Sequence, residues 1–243
     1  MHPIERLRAV ARAREVEQSL LASEAASVLG SFGGDLPGLL TACRRLIDRH
    51  PSAGALWWAC ARLLAAGDVW SEARSIRDDL GGETVATTLS LDLPDGAVTA
   101  VVPDVAGGSD LAYELTGWRD DLVVAHDAGA LHLDRDEPRV LLVEAGAAGP
   151  ATFLAPEGTS EEIAAARDAG VAVWLVLEVG RRLPGPLFDV VARRASTART
   201  PGPPARRPVP VEVVAVAEAE RVIEPRRIDC PVPPELLRAP AGW

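Results

Sequence analysis

The sequence predicts an α/β chain, with a small N-terminal helical bundle followed by a domain built on a parallel sheet. Two observations predict it. From Ile4 to about Leu80, apolar residues such as Leu7, Val10, Val16, Leu20 and Leu21 recur at three- and four-residue intervals, which is the spacing of a helix face. Beyond Gly81-Gly82 the texture changes to short β-branched runs separated by helix-like stretches. Alternation of that kind implies parallel strands joined by crossover helices. The expected division is therefore a bundle over 1–82 and a sheet domain over 83–243.

Four helices are expected in the bundle, near 3–30, 36–49, 52–66 and 70–80, with breaks at Gly33-Gly34 and His50-Pro51 where glycine and proline interrupt the periodicity. In the second part the β-branched runs predict strands over 84–89, 97–102, 121–125, 139–143, 171–177 and 211–216. The stretch 192–210 carries Arg193, Arg194, Arg199, Arg206 and Arg207 among several prolines without apolar periodicity. It reads as a mobile surface loop, or as an anion- or RNA-touching one.

Composition narrows the functional classes. With 243 residues, 48% of them hydrophobic, the chain can bury a substantial core. Its net charge of −10 argues against sequence-independent nucleic-acid binding, which needs a cationic surface to displace phosphate counterions. The first residues alternate charges too closely for a signal peptide, and no apolar run approaches the roughly 18 residues of a membrane span. A cytoplasmic protein with no membrane partner is expected.

All 25 basic residues are Arg, and the chain has neither Lys nor Asn. Any chemistry here must do without a lysine amine or an asparagine carboxamide. Cys43, Cys60 and Cys230 form no CxxC or Cys/His pattern, so reduced thiols are expected. His2, His50, His126 and His132 show no metal-ligand spacing. No metal and no other cofactor is assigned.

Four blocks in order carry a resemblance. His50-Pro51-Ser52-Ala53-Gly54-Ala55-Leu56-Trp57-Trp58-Ala59-Cys60-Ala61-Arg62 is similar to an Arg-Pro-Thr-Ala-Val-Asn-Leu-x-Trp-Ala-x-x-Arg segment. Val102-Pro103-Asp104-Val105-Ala106-Gly107-Gly108-Ser109 leads into a helix, as does a strand and glycine turn carrying Arg-Pro and Gln-Gly. His126-Asp127-Ala128 matches Asp-Ser-Ala, and its spacing to Val143-Glu144-Ala145-Gly146 fits Val-Gly-Ala-Asp without a gap. Ala155-Pro156-Glu157-Gly158-Thr159 aligns with Asn-Lys-x-Gly-Thr, and Pro233-Pro234-Glu235-Leu236-Leu237 echoes a closing Pro-x-Glu-Leu-Ile.

Together these resemble the family that joins the regulatory subunits of eukaryotic translation initiation factor two-B to the methylthioribose phosphate and ribose bisphosphate isomerases. The resemblance implies a Rossmann-like domain, a homodimer made by back-to-back pairing of such domains, and a sugar-phosphate or nucleotide site at the sheet edge. The reactive groups are missing from that frame. The family's catalytic Asp falls on Gly146, its Cys near Leu89, and its Asn and Lys on Ala155 and Pro156. Loss of an acid/base group removes on the order of two to four powers of ten in rate.

No catalytic residue is therefore assigned, and the expected protein is a pseudoenzyme, a dimeric binding or regulatory module. Its partner is either a small phosphorylated ligand or another protein. The ligand-facing candidates are Gly107, Gly108, Ser109, Asp127, Glu144, Gly158 and Thr159. Glycine turns before helices offer free amides to an anion, although Ser109 or Thr159 also suits a plain N-cap. Asp127, after a strand, either accepts a sugar hydroxyl or caps the next helix.

Glu144 replaces a family glycine inside an apolar strand, so it must find an Arg or hydroxyl partner or protonate. Two rival readings remain. One is a sugar phosphate isomerase with a rearranged site using Asp127, Glu144 and His126; the other is a purely structural interaction module with a collapsed pocket. Trp57 and Trp58 are expected in the core, and Trp118 and Trp174 in the sheet or at a dimer contact.

Overall fold

The computed structural model describes residues 3–13, 16–82, 84–105, 111–125, 138–197 and 209–238. The N-terminal part holds five helices, α1 (Pro3–Arg12), α2 (Gln18–Leu29), α3 (Leu36–Arg49), α4 (Gly54–Ala65) and α5 (Val69–Leu80). The single helix expected over 3–30 is thus two. Asp35 caps α3 by accepting from the Gly38 amide at 3.0 Å, and Asp68 caps α5 by accepting from Trp70 and Ser71. Short polar side chains at these ends satisfy amides that the helix itself leaves open.

Helix α4 is the centre of the bundle because, apart from Arg62, it is apolar all round. Leu56, Trp57, Trp58, Cys60 and Leu63 are all fully buried. Arg62 fixes its register against α5, bonding Asp79 at 2.7 Å, Ser75 at 3.1 Å and Glu72, while its guanidinium lies 4.7 Å from the centre of the Trp58 ring. The same apolar cluster continues into Ala147, Leu154, Leu187 and Phe188 of the second part.

The stretch 84–89, expected as a strand for its Val and Thr residues, is instead helix α6 (Val85–Asp92). Val85, Ala86, Leu89 and Leu93 recur at helical spacing and are buried together, so packing overrides β-propensity. Strands β1 (Val98–Val102), β2 (Val123–Ala125), β3 (Arg139–Glu144), β6 (Ala172–Val176) and β8 (Arg221–Ile223) form one parallel sheet in the order β2-β1-β3-β6-β8. Helix α7 (Leu111–Trp118) crosses from β1 to β2. Register places Val102 beside Val143, and Glu144 beside Val176.

Both faces of β3 are apolar, as a covered parallel sheet requires. Val140 and Leu142 face the α6–α7 side with Trp174, while Leu141 and Val143 face the other with Val173 and Leu175. Trp174 is thus in the sheet as expected, but Trp118, at the end of α7, is 60% exposed.

The 211–216 run does not join the parallel sheet. As β7 (Val211–Ala215) it pairs antiparallel with β5 (Thr152–Pro156), which pairs with β4 (Ala147–Ala148) in a separate three-stranded sheet. Helix α8 (Thr159–Asp168) leads into β6, and α9 (Gly185–Thr197) occupies the first residues of the stretch expected as a loop. A short α10 (Pro234–Leu237) stands at the Pro-Pro-Glu-Leu-Leu segment. No helix among the described residues is long and apolar enough to cross a membrane.

Candidate functional site

In the parallel sheet the strand order turns back between β1 and β3, since β2 lies on one side of β1 and all later strands lie on the other. Sheets of this type place ligands outside the carboxyl ends of the strands at that reversal. Here β1 runs out through Pro103 to Asp104, β3 ends on Glu144, and β6 continues through Glu178 and Gly180 to Arg181. Gly180 takes φ +80°, and a Cβ on it would come within 2.8 Å of the Trp58 ring. Only glycine lets the chain turn this close to the bundle and deliver Arg181 to the sheet edge.

Three charges converge there. One guanidinium nitrogen of Arg181 lies 3.2 Å from Asp104 Oδ2 and 3.7 Å from Glu144 Oε1, and donates to the Ala145 carbonyl at 3.0 Å. Arg181, Glu144 and Asp104 are only 1%, 2% and 3% exposed. Burial alone would lower the Arg181 pKa, but the fields of Asp104, Glu144, Glu178 and Glu17 outweigh it and push it up. Glu178 is the converse case. Burial raises its carboxyl pKa, opposed by Arg181 and by the Val85 amide that it accepts at 3.4 Å.

The bundle closes over this cluster. Gln18, the chain's only glutamine and fully buried, donates to Asp104 Oδ2 at 2.9 Å, and its Oε1 accepts from the Ala55 amide at 3.3 Å. The neighbouring Gly54 amide donates to the Gly146 carbonyl at 2.9 Å. The first amides of α4 are thus spent inside the protein, although a helix N-terminus is where an anion would bind. Contact between helix and turn is tight. A Cβ on Gly54 would meet Gly146 O at 2.7 Å, and one on Gly146 would meet Val105 Cγ2 at 2.5 Å and Ser52 O at 3.2 Å.

The anion site expected at Gly158-Thr159 is occupied from within. Gly158 takes φ +99° and precedes α8. Thr159 is the first helical residue rather than the cap expected of it, and its hydroxyl donates to Pro156 O at 2.7 Å. Ser160 donates to Glu212 of β7 twice, from its amide at 2.7 Å and its hydroxyl at 3.0 Å. A carboxylate of the chain itself therefore sits at the positive end of α8.

Of the sequence-derived candidates, Glu144 meets the Arg partner it required, and Gly158 and Thr159 begin α8. Gly107, Gly108, Ser109, Asp127 and His126 lie outside the described residues. Leu89, where the family's Cys was expected in a strand loop, is buried inside α6. Sequence inspection missed Gln18, Asp104 and Arg181. The available signals were a lone glutamine at a helix start and a charged residue just beyond each of two buried strands.

Chemically, the cluster holds carboxylates paired with a guanidinium that does not deprotonate in proteins. Among the described residues the cluster brings together these charges and the Gln18 amide. Among the described residues no group of three or more His, Cys, Asp or Glu is arranged to hold a metal ion.

Solved structures share this architecture. A translation initiation factor eIF-2B from Pyrococcus horikoshii superposes with a TM-score of 0.64 at 15% identity, over 91% of this chain and 94% of its own. The chain has the initiation-factor-two-B fold. The tetrameric eIF2B beta2-delta2 complex from C. thermophilum gives a TM-score of 0.63 at 14% identity over 91% of this chain and 88% of that one. The 5-methylthioribose 1-phosphate isomerase of P. horikoshii gives 0.52 at 14% identity over 90% and 82%. No family model matches the sequence, and no curated protein matches it. The initiation-factor-two-B fold is thus legible in the backbone where amino-acid identity has almost vanished.

Proposed function

We propose that this chain is a non-catalytic, initiation-factor-two-B-like protein acting as a dimeric binding or regulatory module whose partner is a protein. Fold alone does not carry function, and the same fold serves solved structures named as an initiation factor and as an isomerase. The observation that carries the proposal is the buried Asp104–Arg181–Glu144 cluster at the strand-order reversal. A sugar phosphate there would have to displace a guanidinium paired with two carboxylates. Gly146, where the family resemblance puts a catalytic Asp, is boxed in by Val105 and Ser52.

Dimerisation is supported by large apolar side chains that the fold leaves in solvent. Leu91 of α6 and Tyr113 and Trp118 of α7 are 83%, 80% and 60% exposed, and exposed aromatics of this kind are enriched at interface cores. The neighbour described as a beta2-delta2 complex is itself an assembly.

The test is thermal unfolding of the full chain with a panel of sugar phosphates and nucleotides, alongside sedimentation. A ligand at a hundred times its Kd adds about 2.7 kcal/mol, on the order of 5–10 °C for a chain this long. A flat panel and a dimer that becomes monomeric in Trp118→Glu are expected. A sugar phosphate that shifts the midpoint by that much, or is turned over, overturns the protein-partner reading. A monomer at every concentration removes the dimer.

A further inference from the structure

A groove of about 540 Å³ runs between α1 and α3, away from the sheet edge. Its floor is apolar: Leu46 and Ala42 are 2% and 8% exposed, with Leu7, Ala11 and Phe32 partly covered beside them. Along α3 it follows Gly38, Thr41, Ala42, Arg45 and Leu46. That spacing of three and four residues is one helix face, about 12 Å or two turns long. Small residues at Ala11, Gly38 and Ala42 keep the walls low, so another helix can approach to a packing distance of roughly 8–10 Å.

The charge around the groove is opposite to that of the protein. The chain carries −10, yet α1 and α3 hold six arginines against two acids. Arg8 is paired with Glu5 at 2.6 Å, and Arg44 donates to the Glu235 carbonyl. Arg12, Arg45 and Arg49 have no carboxylate partner among the described residues, and Arg45 lies on the groove itself.

We propose that this groove receives an acidic amphipathic helix of a partner protein, its apolar residues at i, i+3 or i+4, and i+7 filling the groove and its carboxylates meeting Arg45 and the arginines around it. Helix-in-groove recognition uses that anchor spacing, and a basic rim selects an acidic occupant by charge complementarity. The groove shares no residue with the ion cluster or with the exposed α6–α7 side chains. Its failure as a site leaves the dimer standing, and the converse also holds.

The experiment is a selection, against the full-length chain, from a displayed library of helical 14-residue peptides with fixed apolar anchors and random polar positions. Winners are synthesised and measured by fluorescence anisotropy. Enriched peptides of net negative charge are expected. Arg45→Glu should weaken them tenfold or more, Thr41→Trp should fill the groove and abolish binding, and Arg77→Glu on α5 should change nothing. Circular dichroism melts confirm that each variant folds; Arg45 and Thr41 are both exposed, so neither change touches the core. Failure to enrich any peptide, enrichment of neutral or basic ones, or equal binding to Thr41→Trp and Arg45→Glu overturns the proposal. So does a concentration-dependent dimer that these two variants break, which would make a second copy the occupant. Binding of dodecanoate blocked by Thr41→Trp, with no peptide bound, would make it a lipid groove instead.

Discussion

Replacing Arg181 by Met keeps most of the side-chain volume and removes the charge, leaving Asp104 and Glu144 at 3% and 2% exposure without their guanidinium. Breaking a buried ion pair from one side costs about 3–5 kcal/mol, because the remaining carboxylates lose the cation that compensates their burial. For a chain of this length that is roughly 6–20 °C in the unfolding midpoint. Asp104 keeps the Gln18 amide, but loss of a facing cation favours the protonated form of a buried carboxyl. A raised carboxyl pKa destabilises increasingly as pH rises through the unfolded value of about 4, so the deficit should be large at pH 7 and shrink toward pH 4.5. The triple variant Arg181→Met, Asp104→Asn, Glu144→Gln removes the stranded charges and should recover most of the loss. Urea and thermal unfolding followed by circular dichroism at both pH values decide it. A single variant within about 1 kcal/mol of the parent at pH 7, or a triple variant no better than the single, refutes the cluster's role.

Three further outcomes follow from local geometry. Glu212→Ala removes both bonds to Ser160 at the start of α8 and should cost about 1 kcal/mol, read as a lower urea midpoint. Arg119 and the Gly96 amide hold the Asp121 carboxyl well below the usual carboxylate range. That contribution is complete above the unfolded pKa of about 4 and fades as pH falls, so the midpoint difference between Asp121→Asn and the parent should narrow from pH 5 to pH 2. Burial pushes the Cys230 thiol up to about 12, which leaves on the order of one thiolate in ten thousand at pH 8 against roughly a quarter for a free cysteine. With Cys43 and Cys60 also buried, iodoacetamide should label the native chain on the order of a thousandfold more slowly than the urea-unfolded one, counted by intact mass.

Periodicity carried most of the fold. The apolar run Val140-Leu141-Leu142-Val143 reads as a strand covered on both faces, and it is the centre of the parallel sheet. Segment 84–89 misled because Val85, Thr87 and Thr88 have β-propensity, whereas the decisive fact is that Val85, Leu89 and Leu93 meet one buried surface at helical spacing. The antiparallel sheet stayed hidden because β7 joins β5 across a long stretch of chain. Strand type alone does not say which sheet a strand enters. At the site, Glu144 announced its need for a partner through its apolar neighbours, but nothing local named Arg181. Gln18 and Asp104 are 86 residues apart in sequence, and their meeting is a product of the bundle docking on the sheet.

That docking fills the sheet edge at the strand-order reversal with side chains of the chain itself. Deletion of reactive side chains alone would leave an open cleft or charges facing water. Here Glu144 occupies a strand end that the sequence resemblance pairs with a glycine, and Arg181 is delivered by the Gly180 turn. Asp104 is shared between Arg181 and Gln18, and Gln18 in turn takes the Ala55 amide. Each of these buried groups gives another a charge or a hydrogen-bond partner. The four side chains come from the start of α2, the ends of β1 and β3, and the loop after β6. They bind bundle to sheet at the edge where parallel sheets of this type place ligands. The polar groups gathered at that edge now serve to join the two parts of the chain.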